Sequence, residues 1–189
     1  PVQLPTLVKK PSFLEKRKGL SPAEKGTVLH FVMQHLDFGN PDIKGQIESM
    51  VKKDLLTEQQ AATVEIEKIK VFLDSELGKR VLASKNVHRE VPFNVKIPCH
   101  ELFPDFADSK YMEETLLLQG IIDCYFEEED GLVMIDYKTD YVPFGDSNII
   151  IERYRVQIEY YARTLALLTG KRVKERYIYL FSTGEILEM

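Results

Sequence analysis

The sequence has few of the residues that staple small folds: two cysteines, Cys99 and Cys124, among 189 residues. Two thiols cannot build a disulfide framework, a four-cysteine zinc site or a cysteine-ligated iron–sulfur cluster, so they read as small buried or half-buried thiols. Long apolar runs are also missing. The longest, such as Leu116-Leu117-Leu118, fall far short of the roughly 20 residues of a membrane span, and no membrane partner is expected. No G-x-x-x-x-G-K-[ST] segment occurs, which excludes an ATP site of that kind from this chain. No positive, apolar leader follows Pro1, so the chain reads as a piece of a longer cytoplasmic protein rather than a secreted one.

What is present is an ordinary globular composition, 44% hydrophobic and 29% charged, enough for one domain with a real core. The net charge of −5 is uneven: residues 1 to 26 hold six Lys/Arg against two Glu, or +4, which leaves −9 for the rest. An acidic body binds nucleic acid poorly by bulk charge, so such a role needs a local basic patch or a metal.

Residues 1 to 20, with three prolines and Lys16-Arg17-Lys18, read as a linker or basic arm, and 21 to 189 as the domain. Ser21-Pro22-Ala23-Glu24 carries an N-cap, a first-turn proline and a capping-box glutamate, so a helix starts there and runs to about Phe38, before Gly39-Asn40-Pro41. Helical spacing predicts further helices near 42–55 and 58–74, with a break at Gly78. Alternation predicts a strand over 87–97 with Pro92 as an edge or bulge feature, an irregular segment over 98–112, and strands over 116–128 and 132–138 flanking an Asp130-Gly131 turn. A loop over 139–148, a tyrosine-rich helix over 149–168 and a last strand over 173–181 complete a mixed α/β order.

The chemistry concentrates in the hairpin. Asp136 and Lys138 share one side of their strand, and Asp123 lies on the opposite side of its strand from Ile122, Cys124 and Phe126. A two-residue turn at Asp130-Gly131 sets Asp123 opposite Lys138 and diagonal to Asp136; a four-residue turn keeps the parity with Asp123 opposite Asp136, and an odd loop needs a bulge. The apolar sets agree with the first register, in which Cys124 meets Tyr137. Two close carboxylates repel unless a cation sits between them, and Lys138 offers a compact charge for a phosphate oxygen or an attacking water. The plain alternative is a cross-strand salt bridge on a solvated face. His30 and Gln34, four apart on the first helix beside Gly26-Thr27, and Gln157 and Tyr161, four apart on the last, each read alone as ordinary helical residues.

Taken in order, Gly26-Thr27-x-x-His30-x-x-x-Gln34, Glu90-x-Pro92-Phe93, Gly120-x-Ile122-Asp123, Asp136-Tyr137-Lys138-Thr139 and Gln157-x-x-x-Tyr161-Ala162 resemble the RecB-type branch of the PD-(D/E)XK nuclease superfamily, over residues 21 to about 180. The spacing is most similar to the nuclease domains at the C-terminus of AddA-type subunits of bacterial helicase–nucleases. The resemblance implies a restriction-endonuclease-like core, a central mixed sheet flanked by helices. It implies a metal held by His30, Asp123, Asp136 and the main-chain carbonyl of Tyr137, with Lys138 as catalytic lysine. Gln157 and Tyr161 are then expected beside the site, positioning the DNA backbone or Lys138, with Gln34 among the substrate-binding residues and Glu90 supporting from outside the ligand set. Mg²⁺ is the expected ion and Mn²⁺ a substitute, because an imidazole is softer than an oxygen ligand. The implied activity is phosphodiester hydrolysis in DNA, as an exonuclease serving recombinational repair, without an iron–sulfur cluster. The implied partners are a single DNA strand delivered by a helicase, a helicase region of the same polypeptide and a second helicase–nuclease subunit, in a bacterial cytoplasm. Two other readings remain at this point: a nuclease-like domain that only binds DNA or a partner subunit, and a metal phosphohydrolase acting on small molecules.

Overall fold

Helix α1, Pro22–His35, begins with the expected capping box: the Ser21 hydroxyl accepts from the Glu24 amide at 3.3 Å and the Glu24 carboxylate from the Ser21 amide at 2.7 Å. It stops at His35, short of Phe38. Arg89 reaches across to donate to the main-chain carbonyls of Met33, at 3.0 Å, and Leu36, and lays its guanidinium 4.6 Å from the centre of the Phe38 ring, closing the helix end. In this computed structural model, residues 19–99, 114–142 and 147–189 are described. All of the 1–20 arm except Gly19 and Leu20, most of the 98–112 segment and residues 143–146 of the 139–148 loop lie outside them.

Helix α2, Ile43–Lys52, is capped by Asp42. The single helix expected over 58–74 is two, α3 at Glu58–Ala61 and α4 at Ile66–Asp74. Thr63 turns its hydroxyl onto the Gln60 carbonyl at 2.7 Å, a local bond that competes with helix continuation. Ser75 then ends α4 and caps α5, Glu76–Ala83, accepting from the Gly78 amide at 3.0 Å. Gly78 is therefore inside a helix rather than a break. The missing side chain permits close approach, since a Cβ there would stand 2.0 Å from the Phe72 carbonyl oxygen. Replacing a helical glycine by alanine ordinarily favours the helix by up to about 1 kcal/mol. Here Gly78→Ala is expected to destabilise by roughly 1–3 kcal/mol through overpacking, read as a lower melting temperature; a rise would show that α4 and α5 have room to part.

Strands β1 (Val87–Pro98), β2 (Thr115–Glu128), β3 (Gly131–Lys138), β4 (Val173–Leu180) and β5 (Glu185–Glu188) form one sheet in that order. All neighbours are antiparallel except β3 and β4, whose parallel pairing is bridged by helix α6, Asn148–Thr169. Pro92 sits in β1, an edge strand, as expected. The sequence reading lacks β5, because four residues, Glu-Ile-Leu-Glu, are too few to display a period.

The hairpin register differs from the favoured expectation. Glu128 faces Gly131 and Cys124 faces Ile135, so the turn residues are Glu129 and Asp130, neither with positive φ. Gly131 serves a different contact: its φ is 152°, a Cβ there would stand 2.7 Å from the Arg172 carbonyl oxygen, and that oxygen accepts from the Leu132 amide at 2.8 Å. The close pass of the chain entering β4 thus goes with a register two residues from the one that the apolar sets suggested. Continuing it sets Asp123 opposite Asp136 instead of Lys138, with parity unchanged.

Helices α1, α2, α4 and α5 pack on the sheet face carrying Cys124, Phe126, Val133, Ile135 and Tyr137, and α6 packs on the face carrying Leu132, Met134, Ile178 and Leu180. Cys99 and Cys124 are buried free thiols, and burial pushes the Cys124 thiol up to about 12. No helix among the described residues is long and apolar enough to cross a membrane.

Arg80 ties α5 to the sheet, donating to both Glu128 carboxylate oxygens at 2.9 and 3.0 Å and to Glu175 at 2.6 Å. Hydrogen bonds from Arg80, joined by Lys174, lower the Glu128 carboxyl from 4.5 to about 2. A depressed folded pKa adds stability that is fully present above the unfolded value and is lost as pH falls from there through about 2. Arg80→Met is therefore expected to melt lower at neutral pH and to lose less on acidification between pH 4.5 and 2 than the unaltered chain, measured as melting temperature against pH. Parallel profiles would show that the ion pairs contribute no net stability.

Candidate metal centre

The sheet divides at the two aspartates. Pairing of β2 with β3 ends at Cys124 and Ile135, while β2 continues along β1 to Thr115 and β3 continues along β4 to Lys138. Past the fork the β1–β2 ribbon turns. Ile122 joins Phe93 in the cluster under α6, although Cys124, two residues on, belongs to the opposite cluster. Asp123 lies at this change of face, and that is how a helix on the Tyr137 side of the sheet can meet it.

Helix α1 supplies the meeting group. Gly26 allows α1 to approach the end of β3, since a Cβ there would stand 3.0 Å from the Thr139 hydroxyl oxygen. One turn later, His30 Nδ1 lies 3.3 Å from Asp123 Oδ1 and 3.3 Å from Glu90 Oε1. His30, Glu90 and Asp123 each offer a ligand atom within 4.8 Å of the others. Glu90 occupies the register position opposite Asp123, between Arg89 and Val91, with φ of 50°. Left-handed backbone at a non-glycine residue in a strand costs on the order of 1–3 kcal/mol and concentrates where function requires it. Nothing in the sequence announces that conformation; the resemblance implied only a supporting place for Glu90 outside the ligand set.

The electrostatics favour a cation in this cluster. Burial opposes charge on His30, but hydrogen bonds and attraction from Asp123 and Glu90 outweigh it and push the imidazole up to about 10. A proton on His30 thus supplies positive charge among the carboxylates. The Tyr137 amide donates to Asp123 Oδ2 at 2.7 Å, which leaves Oδ1 turned to His30. In a strand a residue's N–H and C=O point to the same edge, so the Tyr137 carbonyl also faces the fork. The Lys138 carbonyl points the other way and accepts from the Phe181 amide at 2.8 Å.

Asp136 is buried on the α6 side, its Oδ2 2.6 Å from Lys138 Nζ and without any other partner among the described residues. Burial and then the Asp123 charge raise its carboxyl, against the pull of Lys138. Burial lowers the Lys138 ammonium, but Asp136 more than offsets this, so it stays protonated. Lys138 Nζ sits 4.3 Å from the centre of the Tyr154 ring, and the Tyr154 hydroxyl donates to Asp140 at 3.0 Å. Tyr154 precedes Gln157 by three and Tyr161 by seven on α6, a one-face spacing visible in the sequence.

Asp136, also expected as a ligand, is not among the residues whose donor atoms converge within 4.8 Å. Gln34 lies half-buried one turn beyond His30, and Gln157 half-buried on α6. Tyr161 packs edge-on against Phe93 at 5.0 Å, and its hydroxyl oxygen lies 2.6 Å from where a Gly120 Cβ would be. Phe93, Gly120 and Tyr161, from three of the sequence fragments, are one packing group.

The family model described as PD-(D/E)XK nuclease superfamily matches residues 6–186. Among curated relatives, an ATP-dependent helicase/nuclease subunit of Acetivibrio thermocellus is 65% identical over 99% of this chain, and one of Ruminiclostridium cellulolyticum is 63% identical over 96%. A protein of the same name from Thermoanaerobacter sp. is 54% identical over 96%. The chain spans about 15% of the length of each of these relatives.

Proposed function

The chain belongs to the PD-(D/E)XK nuclease superfamily, and on that premise we propose that it is a metal-dependent DNA nuclease domain of an ATP-dependent helicase–nuclease. The observation that carries this reading is the convergence of His30, Glu90 and Asp123 at a fork of the sheet, beside the buried Asp136–Lys138 pair. The donor set, one imidazole with several carboxylates, suits Mg²⁺ or Mn²⁺. His30, Asp123, Asp136 and the Tyr137 carbonyl would hold the ion, with Glu90 beside His30 and Asp123. A divalent cation so held supplies a polarised phosphate and a more acidic water.

The chain's own groups do the remaining work. The Tyr137 amide keeps Asp123 in one orientation. Asp136 holds the Lys138 ammonium charged at the fork, where it donates to a phosphate oxygen or to the attacking water. Tyr154 limits where that ammonium can swing. Gln157, Tyr161 and Gln34 line the approach of the DNA backbone. Exonucleolytic action on a single strand, delivered by a helicase region of the same polypeptide working with a second subunit in double-strand-end repair in the bacterial cytoplasm, completes the proposal. The test is cleavage of single- and double-stranded DNA with Mg²⁺, Mn²⁺ or EDTA. Metal-dependent cleavage that EDTA abolishes is expected; DNA binding without cleavage in either metal would overturn the reading in favour of an inactive binding domain.

A further inference from the structure

A cavity of about 170 Å³ adjoins the metal cluster, bounded by the start of α1, the start of α4 and the exits of β3 and β4. Two of its lining residues tie it to the cluster. Gly26 precedes His30 by one turn of α1, about 6 Å along the axis, and Thr139 directly follows Lys138. Its lining is mixed: Leu29, Val64 and Phe181 are apolar, Lys25 and Lys68 basic, Glu65 acidic and Ser182 polar. Lys25 makes no ion pair among the described residues, whereas Lys68 is shared with Glu65 at 2.8 Å. The buried Ser182 hydroxyl has no hydrogen-bond partner among the described residues. Two lysines against the single Glu65 give the lining a net charge of +1 in a chain whose formal charge is −5.

Resting on the nuclease reading above, we propose that this cavity is a nucleotide subsite for the DNA strand, next along from the nucleotide whose phosphate lies at Lys138. Leu29, Val64 and Phe181 take the base and Lys25 and Lys68 take its backbone phosphate, which suits one nucleotide of a single strand and is too small for a duplex. The subsite adds affinity without entering the chemistry, because neither lysine touches the metal cluster.

The test measures binding of labelled oligothymidylate to the chain in EDTA across a range of salt, for Lys25→Ala, Lys68→Ala and the double variant. Each lysine removed is expected to weaken binding several-fold and to make the slope of log K against log salt shallower by about 0.7, the value for one phosphate contact on a single strand. An oligomer of abasic sugar phosphates is expected to bind several-fold less tightly than oligothymidylate to the unaltered chain. Calorimetric Mn²⁺ binding is expected to stay within two-fold in all variants. Unchanged affinity and slope in the double variant, or equal binding of the abasic oligomer, would overturn the subsite while leaving the nuclease reading intact. Lost Mn²⁺ binding would also overturn it, by placing the lysines in the metal centre. Absence of metal-dependent cleavage by the unaltered chain would remove the nuclease reading, and the subsite with it.

Discussion

Asp136→Asn is expected to lower DNA cleavage at least a hundredfold, about 2.7 kcal/mol of transition-state stabilisation, while the domain melts within a few degrees of the unaltered chain. The large effect follows from position: the Asp136 carboxylate is buried at the fork, touches Lys138 at 2.6 Å and has an oxygen with no other partner among the described residues. An amide keeps the shape but loses the charge that pairs with the lysine and that the nuclease reading assigns to the cation. The small effect on melting comes from two opposed changes. Removing the carboxylate relieves its burial and its repulsion from Asp123, and it also costs Lys138 its ion pair, leaving the ammonium the attraction of Asp123 and the Tyr154 ring. Initial rates on single-stranded DNA with Mg²⁺, paired with thermal melts, check both halves. Retention of more than about a hundredth of the rate would contradict the role given to this acid.

Lys138→Ala is expected to separate binding from chemistry. The converging donors are on His30, Glu90 and Asp123 and do not include Lys138, so calorimetric titration with Mn²⁺ is expected to give a dissociation constant within about tenfold of the unaltered chain, a change of about 1.4 kcal/mol or less. Turnover is expected to fall at least a hundredfold, because no other cation among the described residues is paired with Asp136. Loss of Mn²⁺ binding in this variant would mean that the ammonium organises the carboxylates instead of the phosphate or water.

Much of the fold could be read from local chemistry. Ser21 and Glu24 announce the start of α1 because a capping box is written in four consecutive residues, and the parity of the β2–β3 hairpin follows from strand alternation. What could not be read was set by contacts between distant segments. Arg89 ends α1 from 53 residues away, and the Arg172 carbonyl meets Gly131 across the β3–β4 junction. Gly78 looked like a break because a glycine's local meaning is punctuation, whereas its actual neighbour is the Phe72 carbonyl. The candidate site divides in the same way. Asp136, Lys138 and Asp123 are visible as a hairpin pattern, but the approach of His30 depends on the ribbon turning past Cys124, and the place of Glu90 depends on a single left-handed φ.

The fork also provides a spectroscopic reporter. At most sheet positions an amide proton exchanges with solvent only when strands separate, so its protection tracks the stability of the sheet. The Tyr137 amide is held instead by a side chain, Asp123 Oδ2, at the point where β2 has left β3. Its exchange rate therefore follows the closing of the β1–β2 ribbon onto β3, independently of whether β3 and β4 remain paired. Protection of this one proton, compared with that of the Phe181 amide on the Lys138 carbonyl, distinguishes a loosened site from a loosened fold.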